Sequence, residues 1–311
     1  MTWFTHFVLT LSTVLAVVSP ASSQSPKKET SPTVSHVDYH GMPALRLSND
    51  LIEVIYVPIL GRTMRFARVG GANFLYENPA LIGKKPIPPA EAKDWQNYGG
   101  DKVWNAPQDR WGWPPDPTID PGTQDVSIKG NHLMVRGGIS AKHNIRVERE
   151  IWIVKGETVH MRDIITNTAL NPQDWSVWQI MQIPSPEYAL MPANPKGGYV
   201  NLSDTAPNSG IVTEKGKEIH IIRDSTKPGK VGSLAPIRSL TAKVRAGVVT
   251  MRAVPHKAEV GTYPHKGSRQ EVYWNNDPLE YVELEIAGPI QTIQPGKSIE
   301  MTIEWTLKPT K

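Results

Sequence analysis

Apolar and polar residues alternate strictly near the carboxyl end of this chain. From Ile299 to Leu307 every second side chain is apolar, and glutamate or threonine stands between. Tyr281 to Ile286 follows the same period of two. Because successive side chains of a β-strand point to opposite faces, this pattern predicts strands with one buried face. No stretch after residue 23 has the 3.6-residue period of an amphipathic helix.

Segments of similar character recur at short spacing along the chain, separated by turns that contain Gly or Pro. The further predicted strands are 51–58, 61–69, 73–76, 124–129, 132–136, 145–154, 158–166, 175–183, 218–222 and 247–254. This organisation is typical of an all-β sandwich rather than of βαβ units. With no Pro-rich break and no fixed repeat, residues 36–311 are predicted to form a single domain that begins near His36.

The first 23 residues have the character of a secretory signal peptide. An apolar run from Phe7 to Val18 is followed by small residues at Ala21 to Ser23. Residues 24–35 are polar and contain Pro, which predicts a flexible linker. We therefore expect export to the periplasm or the extracellular space, with no membrane partner after cleavage. The chain has no cysteine, which excludes both a disulfide scaffold and a lipoprotein anchor.

Charge and motifs exclude several functional classes. The 34 Lys and Arg residues are dispersed among 30 Asp and Glu residues, so no basic face for nucleic acid is expected. The nine histidines lack metal-ligand spacing, and no nucleotide-binding or Ser-hydrolase motif is present. We predict no metal and no cofactor, and the oligomeric state is left open. His256 and His265 lie in a Pro-flanked segment, where a surface position is expected and a position in the site is the alternative.

The segment from Trp95 to Pro117 holds four of the ten tryptophans, at 95, 104, 111 and 113. Gly and Pro interrupt every periodic run within it, which predicts an ordered loop. Flat indole faces beside Asp, Lys and Arg suit a polyhydroxylated ring, because its C–H face stacks while its hydroxyls bond. The alternative is that these indoles plug one end of a β core.

Polar candidates accompany the indoles. Glu283 and Glu285 are two apart on a predicted strand and should share a face, where they could serve as general base and general acid or as acceptors of substrate hydroxyls. Their alternative is an ordinary solvated face. Asp101 and Lys102 follow two glycines, whose backbone can approach a ligand closely, although a surface turn is equally open. Arg62 and Arg65 are the last candidates, because a guanidinium can bind a carboxylate or two neighbouring hydroxyls. A structural salt bridge is the alternative for both.

Three motifs resemble the bacterial DUF4380 family. They are Gly61-Arg62-Thr63-Met64-Arg65-Phe66, Asn97-Tyr98-Gly99-Gly100-Asp101-Lys102-Val103-Trp104 and Trp111-Gly112-Trp113-Pro114-Pro115-Asp116-Pro117. The closing Tyr281-Val282-Glu283-Leu284-Glu285 and Gln294-Pro295-Gly296 fit as well, so that the resemblance covers most of residues 45–307. That family looks like a member of the galactose mutarotase-like group. Membership implies a large antiparallel β-supersandwich that binds a sugar or glycan on its concave face.

The resemblance also implies a set of site residues. A catalytic glutamate on a late strand corresponds to Glu283 or Glu285. The two histidines that mutarotases use are replaced: Tyr98-Gly99-Gly100-Asp101 stands in the early loop, and no histidine follows Thr166-Asn167-Thr168 on the next strand. Asp101 or Lys102 is the substitute acid under this interpretation. The remaining expected contacts are stacking on Trp104, Trp111, Trp113 and Trp178, and polar contacts from Arg62, Arg65, Tyr98, Lys102 and Gln182.

The sequence thus predicts an exported carbohydrate-binding protein that acts by acid/base chemistry at a sugar anomeric centre, as an aldose 1-epimerase does. Two other classes stay open. One is a non-catalytic glycan-binding or scaffolding module, and the other is a polysaccharide lyase or hydrolase.

Overall fold

The computed structural model describes residues 1, 3, 31–88, 90–257 and 259–308. Nearly all of the predicted signal peptide, and residues 24–30 of the predicted linker, lie outside the described residues. Regular structure begins at Thr33 rather than near His36, so the linker prediction was wrong for its last three residues. Val34 packs against the hydrophobic core, which explains why the strand starts early. No helix in the described part of the chain is long and apolar enough to span a membrane.

A four-stranded antiparallel sheet comes first in the chain. Its strands pair in sequence order, and they are Thr33–Tyr39 (β1), Met42–Ser48 (β2), Ile52–Val57 (β3) and Arg62–Arg68 (β4). The predicted strand 73–76 is irregular instead, because the Asn73 side chain bonds the backbone amides of Phe66 and Leu75 and holds a turn there.

Two larger sheets contain the rest of the strands. In chain order these are Asp101–Ala106 (β5), Asp125–Lys129 (β6), His132–Ser140 (β7), Ile145–Lys155 (β8), Thr158–Asn167 (β9), Gln173–Pro184 (β10), Tyr188–Pro192 (β11), Val200–Asn201 (β12), Val212–Lys215 (β13), Glu218–Ile221 (β14), Gly229–Ser233 (β15), Ile237–Val244 (β16), Gly247–Lys257 (β17), Gln270–Trp274 (β18), Tyr281–Ala287 (β19), Gln291–Ile293 (β20) and Ser298–Lys308 (β21). A 3₁₀ turn covers Gln108–Arg110, and a four-residue helical segment covers Pro264–Gly267 (α1).

The two larger sheets are antiparallel and face each other. The seven-stranded sheet has the order β12-β15-β18-β19-β10-β20, with β5 on the other edge of β10. The ten-stranded sheet has the order β13-β14-β11-β16-β17-β21-β9-β8-β7-β6. One large core lies between them, where Trp305 of β21 donates to Gln179 of β10 at 3.3 Å. The predicted all-β antiparallel sandwich is confirmed.

The long alternating strands agree with the prediction, but the Trp-rich loop does not. Its middle forms β5, which pairs with β10 from Asp101↔Met181 to Ala106↔Ser176. Gly99 and Gly100 precede this strand with φ of 93° and 71°, and a Cβ at either would collide with the backbone of Tyr76 or Thr63. These glycines therefore serve close packing within the fold rather than approach to a ligand.

A buried ionic network joins β5 to the ten-stranded sheet. Arg149 of β8 donates to Asp101 Oδ2 at 2.6 Å and to Asp163 Oδ1 at 2.7 Å. Asp101 Oδ1 accepts the backbone N–H of Thr63 at 2.7 Å. All three charged side chains are buried, and burial raises the pKa of Asp163 to about 7 although Arg149 opposes the rise. The network holds β4, β5, β8 and β9 in one arrangement.

We expect Arg149→Met to lower the free energy of unfolding by about 3–5 kcal/mol, because it leaves buried carboxylates without their cation. Chemical denaturation followed by circular dichroism measures this. The matched control is Arg136→Met, since Arg136 pairs with Glu148 at 3.2 Å but is 61% exposed, and should change stability by at most about 1 kcal/mol. Equal effects of the two substitutions would contradict the structural role of the network.

Candidate functional site

A cleft of about 560 Å³ opens on the face of the seven-stranded sheet that points away from the core. This volume lies within the range of roughly 300–1,000 Å³ that small-molecule sites occupy. Six aromatic side chains line it: Trp95, Trp104, Trp113, Trp178, Tyr273 and Tyr281. The charged residues on its wall and rim are Asp204, Lys227, Lys230, Glu283 and Glu285.

Strand register explains why distant segments meet in this cleft. Trp104 of β5 lies opposite Trp178 of β10, and Gln182 of β10 lies opposite Glu283 of β19. On the other side of β19, Glu285 lies opposite Glu271 of β18. Because directly opposed residues of an antiparallel pair share a face, all of these side chains project to the same side of the sheet.

Indoles form one wall of the cleft in edge-to-face packing. The Trp104 ring centroid lies 5.9 Å from that of Trp95, 6.4 Å from that of Trp113 and 5.4 Å from that of Trp178. Trp113 is 56% exposed, so much of its surface is available at the rim. An exposed indole beside a cleft is a natural stacking surface for an apolar ring face.

Asp120 holds this wall in place. Its Oδ2 accepts the indole N–H of Trp95 at 3.0 Å and that of Trp104 at 2.8 Å. Its Oδ1 accepts Nε of Arg62 at 2.9 Å and also Nη2 of the same guanidinium. Nη1 of Arg62 donates to the carbonyl oxygen of Gly99 at 2.6 Å. A buried ion pair thus fixes two of the indoles that line the cleft.

The Glu283 carboxylate accepts hydrogen bonds from one side chain of β5 and one side chain of β10. Lys102 Nζ donates to Glu283 Oε1 at 2.5 Å, and Gln182 Nε2 donates to the same oxygen at 2.7 Å. Neither bond uses Oε2. Burial lowers the pKa of Lys102, and the Glu283 charge acts in the opposite direction. The Lys102 ammonium also lies 4.9 Å from the Trp104 ring centroid, a cation–π distance.

Glu285 has a different environment two residues along the same strand. Its Oε2 accepts the Trp178 indole N–H at 2.8 Å and Lys230 Nζ at 2.7 Å. Its Oε1 is buried and has no hydrogen-bond partner. Burial raises the pKa of Glu285 to about 8, because the opposing Lys230 charge is offset by Glu271 and Glu283.

Lys230 is shared between two buried carboxylates. Its Nζ lies 2.6 Å from Glu271 Oε2 and 2.7 Å from Glu285 Oε2. Glu271 Oε1 also lies 2.8 Å from Nδ1 of His265. Burial alone would raise the pKa of Glu271, but Lys230 and His265 outweigh it and lower that pKa to about 2. The same two carboxylates raise the pKa of Lys230 against the effect of burial.

The structure brings together several residues that the sequence predicted for the site. Glu283 and Glu285 share one face and line the cleft, and so do three of the predicted indoles, Trp104, Trp113 and Trp178. Lys102 and Gln182 reach the cleft through their bonds to Glu283.

Four other predicted residues lie elsewhere, and each has a structural partner. Asp101 points into the core toward Arg149, because adjacent strand residues face opposite sides and Lys102 takes the cleft side. Arg62 is buried against Asp120. Arg65 pairs with Glu53 of β3 at 2.7 Å, and Tyr98 is buried in a small cluster with Tyr39. The structure therefore does not place these four side chains in the cleft, where the sequence predicted a catalytic Asp101 and substrate contacts from the other three.

Trp111 also does not line the cleft. Its indole N–H donates to the carbonyl of Asn105 at 2.8 Å, and its ring packs against His143 with centroids 6.0 Å apart. Trp111 belongs to the hydrophobic core, which fits the alternative interpretation of an indole that closes one end of the core.

Sequence reasoning missed part of the charged wall. Lys230, Glu271 and Tyr273 lie on β15 and β18, two short strands that were not predicted. His265 was expected at the surface, but its side chain is 13% exposed and its ring centroid lies 4.5 Å from that of Trp178. The β-branched and aromatic run Val272-Tyr273-Trp274 could have indicated β18. Tyr281 is two residues from Glu283 on the same strand, so its position on the cleft face could have been predicted from the sequence.

No group of three or more His, Asp and Glu side chains suited to a metal ion occurs among the described residues.

Solved structures with the same fold come from several bacteria. A galactose mutarotase-like protein from Lactobacillus casei ATCC 334 aligns with a TM-score of 0.59 at 9% identity, over 85% of this chain and 100% of its own. A galactose mutarotase related enzyme from Lactobacillus acidophilus aligns with a TM-score of 0.55 at 8% identity, over 86% of this chain and 98% of its own.

A TPR-domain containing protein from Parabacteroides distasonis ATCC 8503 aligns with a TM-score of 0.56 at 18% identity. The match covers 87% of this chain but 48% of that one, so this chain spans about half the length of that protein. A comparison with curated protein sequences found no match.

These alignments define the fold as galactose mutarotase-like. The chain belongs to the DUF4380 family, described as a domain of unknown function, whose model matches residues 42–308.

We expect Asp120→Asn to destabilise the protein by about 3–5 kcal/mol, because the buried Arg62 charge loses its partner. The Trp95 and Trp104 indoles lose an ionised acceptor at the same time, so near-ultraviolet circular dichroism in the tryptophan region should weaken. Asp125→Asn is the control, since Asp125 is exposed, and it should change stability by at most about 0.5 kcal/mol. An unchanged tryptophan signal in Asp120→Asn would contradict the anchoring role.

Proposed function

We propose that the cleft binds a sugar and catalyses the interconversion of its anomers, as an aldose 1-epimerase does. The observation that carries this proposal is the convergence of exposed indole surface and two inward carboxyl groups, Glu283 and Glu285, on a single cleft. Neither feature alone would distinguish this chemistry from simple adsorption.

The wall chemistry matches a pyranose ring. Such a ring presents C–H groups on its faces and hydroxyls around its edge, so it stacks on indole and bonds to polar side chains. Of the indoles that line the cleft, Trp113 is the most exposed, and Trp104 and Trp178 lie deeper, next to the carboxylates. We infer that the ring lies along this aromatic wall with its anomeric carbon toward β19.

Glu283 is the proposed general base. Two donors fix its Oε1, and Oε2 is not used by either bond, so a carboxylate oxygen of defined orientation is available to a substrate hydroxyl. A general base must reach the proton that it removes before its pKa matters, and Glu283 lines the cleft. It would take the proton of the anomeric hydroxyl and so start ring opening.

The names of two structural neighbours support a sugar-related role. They are a galactose mutarotase-like protein and a galactose mutarotase related enzyme. Their identities to this chain are 9% and 8%, so they support the fold, and the activity rests on the cleft residues. We also propose export to the periplasm or extracellular space, which the secretory character of residues 1–23 supports.

We expect the wild-type protein to accelerate the change of optical rotation of freshly dissolved aldoses, and Glu283→Gln to lose about 100-fold or more of kcat/KM. Glutamine keeps the shape of the side chain but cannot accept the proton. Polarimetry or NMR exchange between the anomers, over a panel of aldoses, measures the rate.

The control for this substitution is Glu300→Gln, because Glu300 lies on β21 of the other sheet and is 58% exposed. It should keep the wild-type rate. Glycan binding without any anomer exchange would favour a non-catalytic module instead, and new unsaturated ends that absorb in the ultraviolet would favour a polysaccharide lyase.

Trp113→Ala should weaken sugar binding by about 0.5–1.5 kcal/mol, which is about 2- to 12-fold in Kd, through loss of a stacking face. The residue is half exposed, so its truncation leaves the core intact. Isothermal titration with the best aldose measures the change. Trp152→Ala removes an indole that stacks on His132 of the ten-stranded sheet, and it should leave Kd unchanged.

A further inference from the structure

We propose that Glu285 is the general acid of this reaction and donates the proton of its Oε1 to the ring oxygen of the sugar. The inference rests on the proposed function and names the group that protonates the ring oxygen. Glu271 and His265 act as positioning residues, since neither lines the cleft and both act on Glu285 through the ionic chain that Lys230 completes.

One carboxyl oxygen of Glu285 has no hydrogen-bond partner. Glu285 is 1% exposed, lines the cleft, and has two donors on Oε2 but none on Oε1. A buried carboxylate oxygen without a donor costs free energy, whereas a protonated oxygen at the same place becomes a donor itself. The proposal supplies the missing acceptor as the ring oxygen of a sugar bound in the cleft that Glu285 lines.

The positive charges around β19 are divided unequally between its two glutamates. Glu283 accepts hydrogen bonds from the Lys102 ammonium, which it does not share with Glu285, and from Gln182. Glu285 shares the Lys230 ammonium with Glu271, and Glu271 also holds His265. Because one cation cannot neutralise two buried carboxylates, one of the pair favours its neutral form. Glu271 has the additional partner, so Glu285 keeps the proton.

The pKa values agree with this assignment. Burial raises the pKa of Glu285 to about 8, and the partners of Glu271 lower its pKa to about 2. Groups that surround the Glu285 carboxyl come from every neighbouring strand: Lys230 on β15, Glu271 and Tyr273 on β18, Trp178 on β10 and Glu283 on β19 itself. His265 acts on it through Glu271.

The proton balance closes over one turnover. Glu283 takes the proton of the anomeric hydroxyl, that oxygen becomes a carbonyl, and the bond from C1 to the ring oxygen breaks as Glu285 protonates the ring oxygen. After rotation about the bond between C1 and C2, the ring oxygen attacks the other face of the carbonyl and returns its proton to Glu285. Glu283 then gives its proton to the new anomeric oxygen. No oxidant, reductant or metal takes part in this sequence of steps.

Backbone spacing permits the two roles. Residues two apart on a strand are separated by about 6.5 Å, and both side chains project from one face. The two oxygens that they serve are bonded to the same anomeric carbon, so the carboxyl groups need only converge slightly.

The test is the pH dependence of kcat/KM for anomer exchange. A raised pKa means that Glu285 is protonated below about pH 8 and loses its proton above it, so wild-type activity should fall as pH rises through about 8. Glu285→Gln should reduce kcat/KM by about 100-fold or more and abolish this alkaline limb.

Glu271→Gln should move the alkaline limb to lower pH. It removes the charge that competes for Lys230, so Lys230 then stabilises ionised Glu285 and lowers its pKa. The matched control is Glu304→Gln, because Glu304 also pairs with a histidine, His160, at 3.2 Å but on the ten-stranded sheet. Its alkaline limb should coincide with that of the wild type. A purely structural role of Glu271 would lower the rate without moving the limb.

Two results separate this inference from the proposed function. If Glu283→Gln is inactive while Glu285→Gln keeps the wild-type rate, the sugar chemistry stands and the role of Glu285 is refuted. If the wild type exchanges no anomers, both fall.

A direct titration covers variants that fold poorly. Carbon-13 NMR of glutamate carboxyls in the wild type, with Glu285→Gln to assign the signal, reports the pKa of Glu285 without any substrate. An ionised Glu285 at pH 7 would overturn the inference.

Discussion

The pairing of β10 with β5 on one edge and β19 on the other is the constraint on which the site depends. It places Trp104 beside Trp178 and Gln182 beside Glu283, although these residues are far apart in the chain. A slip of one residue along β19 would turn both glutamates toward the core. The buried ion pairs of Asp101 with Arg149 and of Arg62 with Asp120 help to hold β5 in that register.

Two carboxyl groups on one strand, β19, have different environments in the cleft. Glu283 and Glu285 have the same side chain and face the same way, so the difference between them comes from their neighbours. Lys102 and Gln182 serve Glu283, whereas Lys230 divides its charge between Glu285 and Glu271. Environments that separate two carboxyl groups in this manner are a recurrent means of assigning acid and base roles.

Prediction from sequence succeeded where hydrophobic alternation is strong and local. The strand Ser298–Lys308 and the shared face of Glu283 and Glu285 follow directly from a period of two. Alternation failed at β5, because both faces of that strand are buried and its tryptophan and lysine interrupt the pattern. Once it was taken as a loop, Asp101 and Lys102 could both be assigned to a ligand, and the strand permits only one.

From the sequence alone came the class of fold, the direction of each long strand's faces, and an aromatic segment paired with late acidic residues. Tertiary structure decided which strands are neighbours, and therefore that Lys230, Glu271 and His265 join the cleft while Trp111, Arg65 and Tyr98 do not. The reason is physical: side-chain direction along a strand is set by its own backbone, whereas strand neighbours are set by pairing and packing between segments distant in the chain.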